Sequence, residues 1–149
     1  MEKETETHEF YMNKCIELAM VAKQRGDNAV GSLIVRNGTI VGEGIEGNKT
    51  HNDITFHAEI EAVRNAIKHL NTQDLSYCIM YTTHEPCIMC SYLIRHSNIK
   101  KVVTGLSTGE VGGFSSHYPL LLDNTIVRWG SPPILIKGIL ENRCLGLIR

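Results

Sequence analysis

The sequence predicts an α/β fold in which a central sheet of about five strands carries helices on its faces. Segments with helical periodicity alternate with short β-favouring runs along the chain. The first two of those runs are joined by Asn37-Gly38, the dipeptide that most favours a two-residue hairpin turn. The chain has 149 residues, of which 42% are hydrophobic and 21% charged, so we expect residues 1–149 to form one domain with a complete core.

The first predicted elements are a helix and an antiparallel hairpin. The helix covers residues 8–25, where apolar side chains recur at helical spacing before Gly26 ends the pattern. The periodic residues are Tyr11, Cys15, Leu18 and Ala22. Two strands, over residues 29–36 and 39–44, then flank the Asn-Gly turn.

The rest of the chain alternates helices and strands. A polar loop over residues 46–55 leads into a second helix, in which Ala58, Ala62, Ala66 and Leu70 lie four apart. Residues 77–83 form a continuous β-favouring run of the kind that is buried on both faces. A third helix follows from Pro86 to about residue 96. The remaining elements are strands over residues 101–105 and 133–137 and a short terminal helix from residue 139.

The composition argues against several classes of protein. No run of eighteen apolar residues is present and residues 1–9 are polar and acid-rich, so we expect neither a membrane span nor a signal peptide, and a cytoplasmic location. Fifteen basic and sixteen acidic residues give a net charge of −1 with no basic block, which does not indicate a large phosphate-binding surface. Five cysteines in this setting favour metal binding or catalysis over disulfides. Three of them, Cys15, Cys78 and Cys144, fall on apolar faces and are predicted core thiols.

The other two cysteines, Cys87 and Cys90, lie where a predicted strand gives way to a helix. Side chains at positions i and i+3 share one helical face, so both sulfurs can contact one ion. The free N–H groups of a first helical turn also favour thiolate over thiol. By itself, however, this spacing is equally typical of a thioredoxin-like redox pair and of a structural zinc site.

A third element separates these interpretations. His57 and Glu59 lie two apart at the start of the second helix, so one imidazole and two thiolates can converge at one sheet edge. Structural zinc normally has four protein ligands, whereas a three-ligand site keeps a water whose pKa falls to about 7. Glu59 is not needed as a ligand and is placed to carry protons. The order H-x-E followed by P-C-x-x-C is a signature of zinc-dependent nucleobase deaminases.

On these motifs the chain resembles the cytidine deaminase-like superfamily, and within it the guanine deaminases and the tRNA wobble adenosine deaminases. The stretches NDITFHAEIEAV, YTTHEPCIMC and IKKVVTG carry the resemblance, and GEG and KGILENRC carry it more weakly, so it covers nearly the whole chain. It implies a three-layer α/β/α fold with a mixed five-stranded sheet and, commonly, a homodimer. It also implies that His57, Cys87 and Cys90 bind Zn²⁺ and that Glu59 moves protons.

The resemblance is less direct at the residues that would contact the substrate. In these relatives an asparagine shortly after the second strand usually contacts the base, and the matching position here is Glu46. An ionised carboxylate only accepts hydrogen bonds, so Glu46 would favour a substrate edge rich in N–H donors. If the loop is shifted, Asn48 fills this role instead.

Further candidate substrate contacts lie at two other places in the chain. Ala58 stands between the histidine and the glutamate of the H-x-E motif. The segment 112–123 follows the fourth strand, where relatives place residues that cover the substrate, and its Phe114, His117 or Tyr118 would stack on a base. The alternative is that this segment is an exposed loop packed against a dimer neighbour.

We therefore expect a hydrolase that removes an exocyclic amino group as ammonia. A free nucleobase or small nucleoside with a guanine- or cytosine-like ring is favoured over a tRNA wobble adenosine, because a net charge of −1 attracts phosphates weakly. A non-catalytic or redox zinc-thiolate module is the third hypothesis. Glu59 and the open ligand position argue against it.

Overall fold

The computed structural model describes residues 2–148 and begins with a long helix and a hairpin. Helix α1 spans Glu2–Gln24 and starts earlier than predicted, since acidic residues in its first turn suit the positive end of the helix dipole. Strands β1 (Gly31–Arg36) and β2 (Thr39–Ile45) pair antiparallel, which confirms the predicted hairpin. Asn37 and Gly38 between them have positive φ angles of 49° and 77°, as a type I′ turn requires. Within residues 2–148, no helix combines the length and apolar character needed to cross a bilayer.

The predicted polar loop after β2 contains a short helix that the sequence pattern did not reveal. Helix α2 spans Asn48–His51 and ends at Asn52, whose φ of 49° is left-handed. The Asp27 carboxylate accepts the backbone N–H groups of Lys49 and Thr50 at 2.8 and 3.1 Å. Asp27 therefore caps α2 from a position just after α1.

The remaining elements alternate as predicted. Their bounds are α3 (Ala58–Leu70), β3 (Cys78–His84), α4 (Ile88–His96), β4 (Lys101–Leu106), β5 (Ile134–Ile136) and α5 (Glu141–Leu147). A short 3₁₀ turn at Val127–Trp129 was not predicted. The five strands lie in the order β2-β1-β3-β4-β5. Strand β1 pairs antiparallel with β2 and β3, while β3, β4 and β5 run parallel, so the sheet is mixed as expected.

Alternation along β1 separates two apolar cores. Leu33 and Val35 belong to the core formed with α1 and α5, and Ile34 belongs to the core formed with α3 and α4. The three-layer α/β/α arrangement implied by the resemblance is therefore confirmed. The predicted core thiols are also confirmed as buried free cysteines, namely Cys15, Cys78 and Cys144.

Two glycines of β2 bring α3 unusually close to the sheet. A Cβ atom at Gly44 would overlap the backbone carbonyl oxygen of Ala58, and one at Gly42 would overlap that of Ala62. Only glycine allows this close approach of two backbones. The first turn of α3, which carries Glu59, is thus set against the sheet by the short GEG stretch.

Candidate active site

The predicted metal ligands lie at the starts of two helices. His57 is the N-cap of α3 and Cys87 is the N-cap of α4, and both have extended backbone conformations. Neither side chain caps its own helix, so both are free to contact another group. Cys90 lies in the first turn of α4 and is buried.

The three side chains converge as the motif predicted. Nδ1 of His57 lies 3.5 Å from Sγ of Cys87 and 3.4 Å from Sγ of Cys90. Tetrahedral zinc with ordinary Zn–S and Zn–N bonds would separate sulfur from nitrogen by about 3.6 Å, so the spacing fits that ion. Among residues 2–148, no other His, Cys, Asp or Glu joins this group, and both cysteines are free thiols. This group therefore offers three donor atoms, one fewer than the four positions of tetrahedral zinc.

The electrostatics of the group also suit a cation. A hydrogen bond from Cys90, together with one from His57, lowers the pKa of Cys87 to about 4, which makes this residue a thiolate. The same thiolate raises the pKa of His57 to about 9. The hydrogen bond between Cys87 and Cys90, together with burial, raises the pKa of Cys90 above the usual value of a thiol. A metal ion that binds here must therefore displace protons from His57 and Cys90.

Glu59 lies beside this group in the first turn of α3. The residue is only 4% exposed, and burial raises the pKa of its carboxyl group to about 8. A carboxyl group with such a pKa can both take up and release a proton near neutral pH. Glu59 and two of the three metal-ligand candidates, His57 and Cys87, line one pocket of about 250 Å³. This volume is below the roughly 300–1,000 Å³ typical of drug-sized ligands, and it suits a single base.

The two residues proposed as alternatives for the asparagine contact, Glu46 and Asn48, both line the same pocket. Glu46 is buried, and this burial raises its pKa. Its carboxylate accepts the backbone N–H of Asn48 at 3.3 Å, and the Asn48 side chain belongs to the pocket wall as well. The two alternatives raised from the sequence therefore lie side by side.

The other four candidate contacts do not line this pocket. Ala58 is the first residue of α3 and is fully buried. Phe114 packs into the core beside α3 and α4, and Nζ of Lys137 lies 4.2 Å from its ring centre. His117 and Tyr118 are exposed on the loop that follows. The structure of the single chain thus offers no stacking ring from this segment.

Six pocket residues were missed by the sequence analysis. They follow α1 or lie at the carboxyl ends of β3 and β4, namely Asn28, Val30, His84, Glu85, Thr108 and Val111. For the four residues from β3 onward the usable signal was their position at or after a strand end, because ligands in α/β sheets bind at the carboxyl ends of strands. Asn28 and Val30 lie before β1 and carry no such signal.

Glu85 has the most hydrogen bonds of these six residues. Its carboxylate accepts backbone N–H groups of Thr108, Phe114 and Ser115 at 2.9, 2.7 and 2.8 Å, and the Ser115 hydroxyl at 2.6 Å. Burial alone would raise the pKa of Glu85, but these hydrogen bonds lower it below the usual value. Glu85 thereby ties the loop after β4 to the segment that carries Cys87.

Comparison with protein families gives one match that covers the zinc-ligand candidates. The family described as the cytidine and deoxycytidylate deaminase zinc-binding region matches residues 5–106. A tRNA-specific adenosine deaminase of Aquifex aeolicus is 34% identical over 129 residues, which is 85% of this chain and 85% of the relative. A tRNA-specific adenosine deaminase of Haemophilus influenzae is 37% identical over 141 residues, or 94% of this chain and 80% of the relative.

Solved structures give the same picture of the fold. A tRNA:A34 deaminase that edits A to I at the wobble position superposes with a TM-score of 0.85 at 25% identity. The match covers 93% of this chain and 98% of that one. A guanine deaminase of Bacillus subtilis superposes with a TM-score of 0.65 at 37% identity, over 67% of this chain and 64% of that one.

Proposed function

We propose that this chain, which belongs to the cytidine and deoxycytidylate deaminase family of zinc-binding hydrolases, converts adenosine to inosine in tRNA. The observation that carries this proposal is the similarity to relatives named tRNA-specific adenosine deaminase, which align over 85% and 94% of the chain. The reaction replaces an amino group with a carbonyl oxygen and releases ammonia.

The comparisons support tRNA better than the free base favoured from the sequence. That preference rested on a net charge of −1, which describes the whole chain. Binding of RNA depends on the charges around the pocket mouth, and a neutral protein can present a small basic surface there. Net charge is therefore a weak guide to this substrate.

We further propose that His57, Cys87 and Cys90 hold the zinc ion. The donor set supports this assignment, because one imidazole and two thiolates at these separations fit tetrahedral zinc and leave one position open. Zinc, when bound, supplies the Lewis acid that makes water nucleophilic at neutral pH. A base bound in the pocket would lie next to this zinc site, because His57 and Cys87 line the pocket wall.

Glu59 is assigned the proton transfers. Water adds to the ring carbon that bears the amino group, and Glu59 takes one proton from the water and gives it to the ring nitrogen. Glu59 then moves the second proton to the departing nitrogen, so that ammonia leaves and a carbonyl remains. Its burial supports this role, because a dry site brings the pKa of a carboxyl group close to neutral.

A second candidate substrate is a free base with an N–H-rich edge, such as guanine. One observation favours it, which is that Glu46 in the pocket wall offers carboxylate acceptors where these relatives usually have asparagine. Guanine carries adjacent N–H donors on its Watson–Crick edge, whereas adenine presents a ring acceptor there.

The test is inosine formation in an anticodon stem-loop RNA by the zinc-loaded protein, alongside ammonia release from guanine, cytosine, cytidine and adenosine. We expect turnover of the RNA and little of the free compounds. Turnover of guanine without turnover of RNA would replace the proposal with the second candidate. Glu59→Gln should keep stoichiometric zinc and lose turnover, whereas Glu61→Gln is a matched control, since Glu61 pairs with Arg64 at 2.8 Å outside the pocket.

A further inference from the structure

One pocket residue has a side chain that the proposed mechanism does not use. His84 is the last residue of β3, and its half-buried ring lines the pocket together with Glu59 and Cys87. Its Nδ1 atom lies 2.9 Å from the hydroxyl oxygen of Thr83. The hydrogen bonds of that hydroxyl determine what the ring presents to the pocket.

The Thr83 hydroxyl has two partners in the described part of the chain. It accepts the backbone N–H of Gly31 at 3.3 Å, and the other partner is Nδ1 of His84. A hydroxyl carries a single hydrogen, and the N–H group of Gly31 cannot accept it, so among these two partners the hydrogen of Thr83 is satisfied only by donation to Nδ1. Nδ1 is therefore the acceptor nitrogen of the ring.

This assignment places the ring hydrogen of His84 on Nε2. Burial lowers the pKa of His84, so the ring is neutral at neutral pH and carries one hydrogen. No residue between 2 and 148 hydrogen-bonds Nε2. Among residues 2–148, the only buried side-chain nitrogen or oxygen atom that has no hydrogen-bond partner is Oγ1 of Thr82. Nε2 of His84 is therefore not buried but accessible. The Nε2–H group therefore faces the open pocket.

We infer that His84 donates a hydrogen bond from Nε2–H to a lone pair of the bound substrate nucleotide. The inference rests on the proposed function and adds a residue that selects the substrate. Glu46 on the pocket wall accepts hydrogen bonds, and His84 supplies the complementary donor. Three acceptors of an adenosine nucleotide lie away from the reacting edge and can each be removed by a single analogue, namely N3, N7 and the ribose 2′-hydroxyl.

Three substitutions at His84 separate this contact from a packing role. His84→Phe keeps a planar ring and removes the donor, His84→Gln keeps an amide near the position of Nε2, and His84→Asn is too short to reach it. We expect His84→Phe and His84→Asn to raise KM for the stem-loop RNA about three- to tenfold with little change in kcat, as for one lost hydrogen bond. His84→Gln should recover most of the loss. His69→Gln on the exposed surface of α3 is the matched control.

Substrate analogues identify the acceptor. Stem-loop RNAs with 3-deazaadenosine, 7-deazaadenosine or 2′-deoxyadenosine at the reacting position each lack one candidate lone pair. With one of these analogues, kcat/KM of the wild-type protein should fall about three- to tenfold. For that analogue, His84→Phe should not lower kcat/KM further, because the contact is already absent. The other two should still show the full effect of His84→Phe.

The outcomes distinguish the inference from the function on which it rests. No inosine from the wild-type protein overturns both. Inosine formation at equal KM by the wild type, His84→Phe and His84→Asn overturns the inference alone, as does a loss that His84→Gln does not recover. Should the Phe variant fail to fold, nitrogen NMR of the wild type decides, because a proton on Nδ1 instead of Nε2 contradicts the inferred tautomer.

Discussion

Removal of the Glu85 carboxylate should loosen the wall of the pocket and destabilise the fold. Glu85 is 1% exposed and accepts three backbone N–H groups and one hydroxyl from the loop after β4. In Glu85→Ala these donors lose a charged acceptor. Each such bond contributes about 1.5–3 kcal/mol, but water and loop movement recover part of it, so we expect a loss of about 3–5 kcal/mol in the free energy of unfolding.

The assay is urea unfolding of the zinc-loaded protein, with the midpoint compared at constant slope. Glu110→Ala is the matched control, because Glu110 is an exposed carboxylate in the same loop. Gly112→Ala should resemble Glu85→Ala, since a Cβ atom at Gly112 would overlap the Glu85 carboxylate. A loss below about 1 kcal/mol in Glu85→Ala, or an equal loss in Glu110→Ala, would refute the reasoning, because surface changes cost no more than about 0.5 kcal/mol.

The same carboxylate gives a pH dependence with a definite sign. The folded-state pKa of Glu85 is lower than the unfolded value, so its contribution is complete above the unfolded pKa and is lost as pH falls through the folded pKa. Wild type should therefore lose stability relative to Glu85→Gln as the solution is acidified below about pH 4.3, the ordinary Glu value. A constant difference across that range would show that the fold does not lower the pKa of Glu85.

Three further predictions concern the parts that position the site. Gly44→Ala should destabilise the fold by about 1–3 kcal/mol in urea unfolding, because the new methyl group overlaps the carbonyl of Ala58, whereas Gly146→Ala in open space should be neutral or stabilising. Asp27→Ala removes the acceptor that holds α2, the helix that begins at Asn48, so KM for the RNA should rise several-fold with kcat retained. An unchanged KM would mean that the position of Asn48 does not depend on this cap. Chelation of zinc should abolish turnover, and added zinc should restore it; turnover by the metal-free protein would contradict the assigned chemistry.

Local sequence patterns were sufficient for most of the fold. The Asn37-Gly38 turn, the four-residue spacing from Ala58 and the strand before Cys87 each depend on neighbouring residues, and each appears as predicted. Helix α2 was missed because four residues carry no periodicity, and because its cap comes from Asp27, which is distant in sequence.

The sequence predicted the metal-ligand candidates and three further pocket residues, Glu46, Asn48 and Glu59, but not the other six residues of the pocket. His57, Cys87 and Cys90 follow from helix starts and a fixed spacing, which are local features. Phe114 was expected to stack on the substrate because it is an aromatic residue in a loop. Its backbone is held by Glu85, a long-range contact that directs the ring into the core, and no local pattern reports such a contact.

The arrangement of ligands around zinc tests the central claim most directly. X-ray absorption at the zinc edge of the loaded protein should show one zinc per chain with two sulfur ligands at about 2.3 Å and two lighter ligands at about 2.0 Å, one from His57 and one from solvent. Glu59→Gln should leave this spectrum unchanged, and Cys90→Ser should remove one sulfur. A shell of four sulfurs, or a Cys87–Cys90 disulfide with no zinc, would contradict the account.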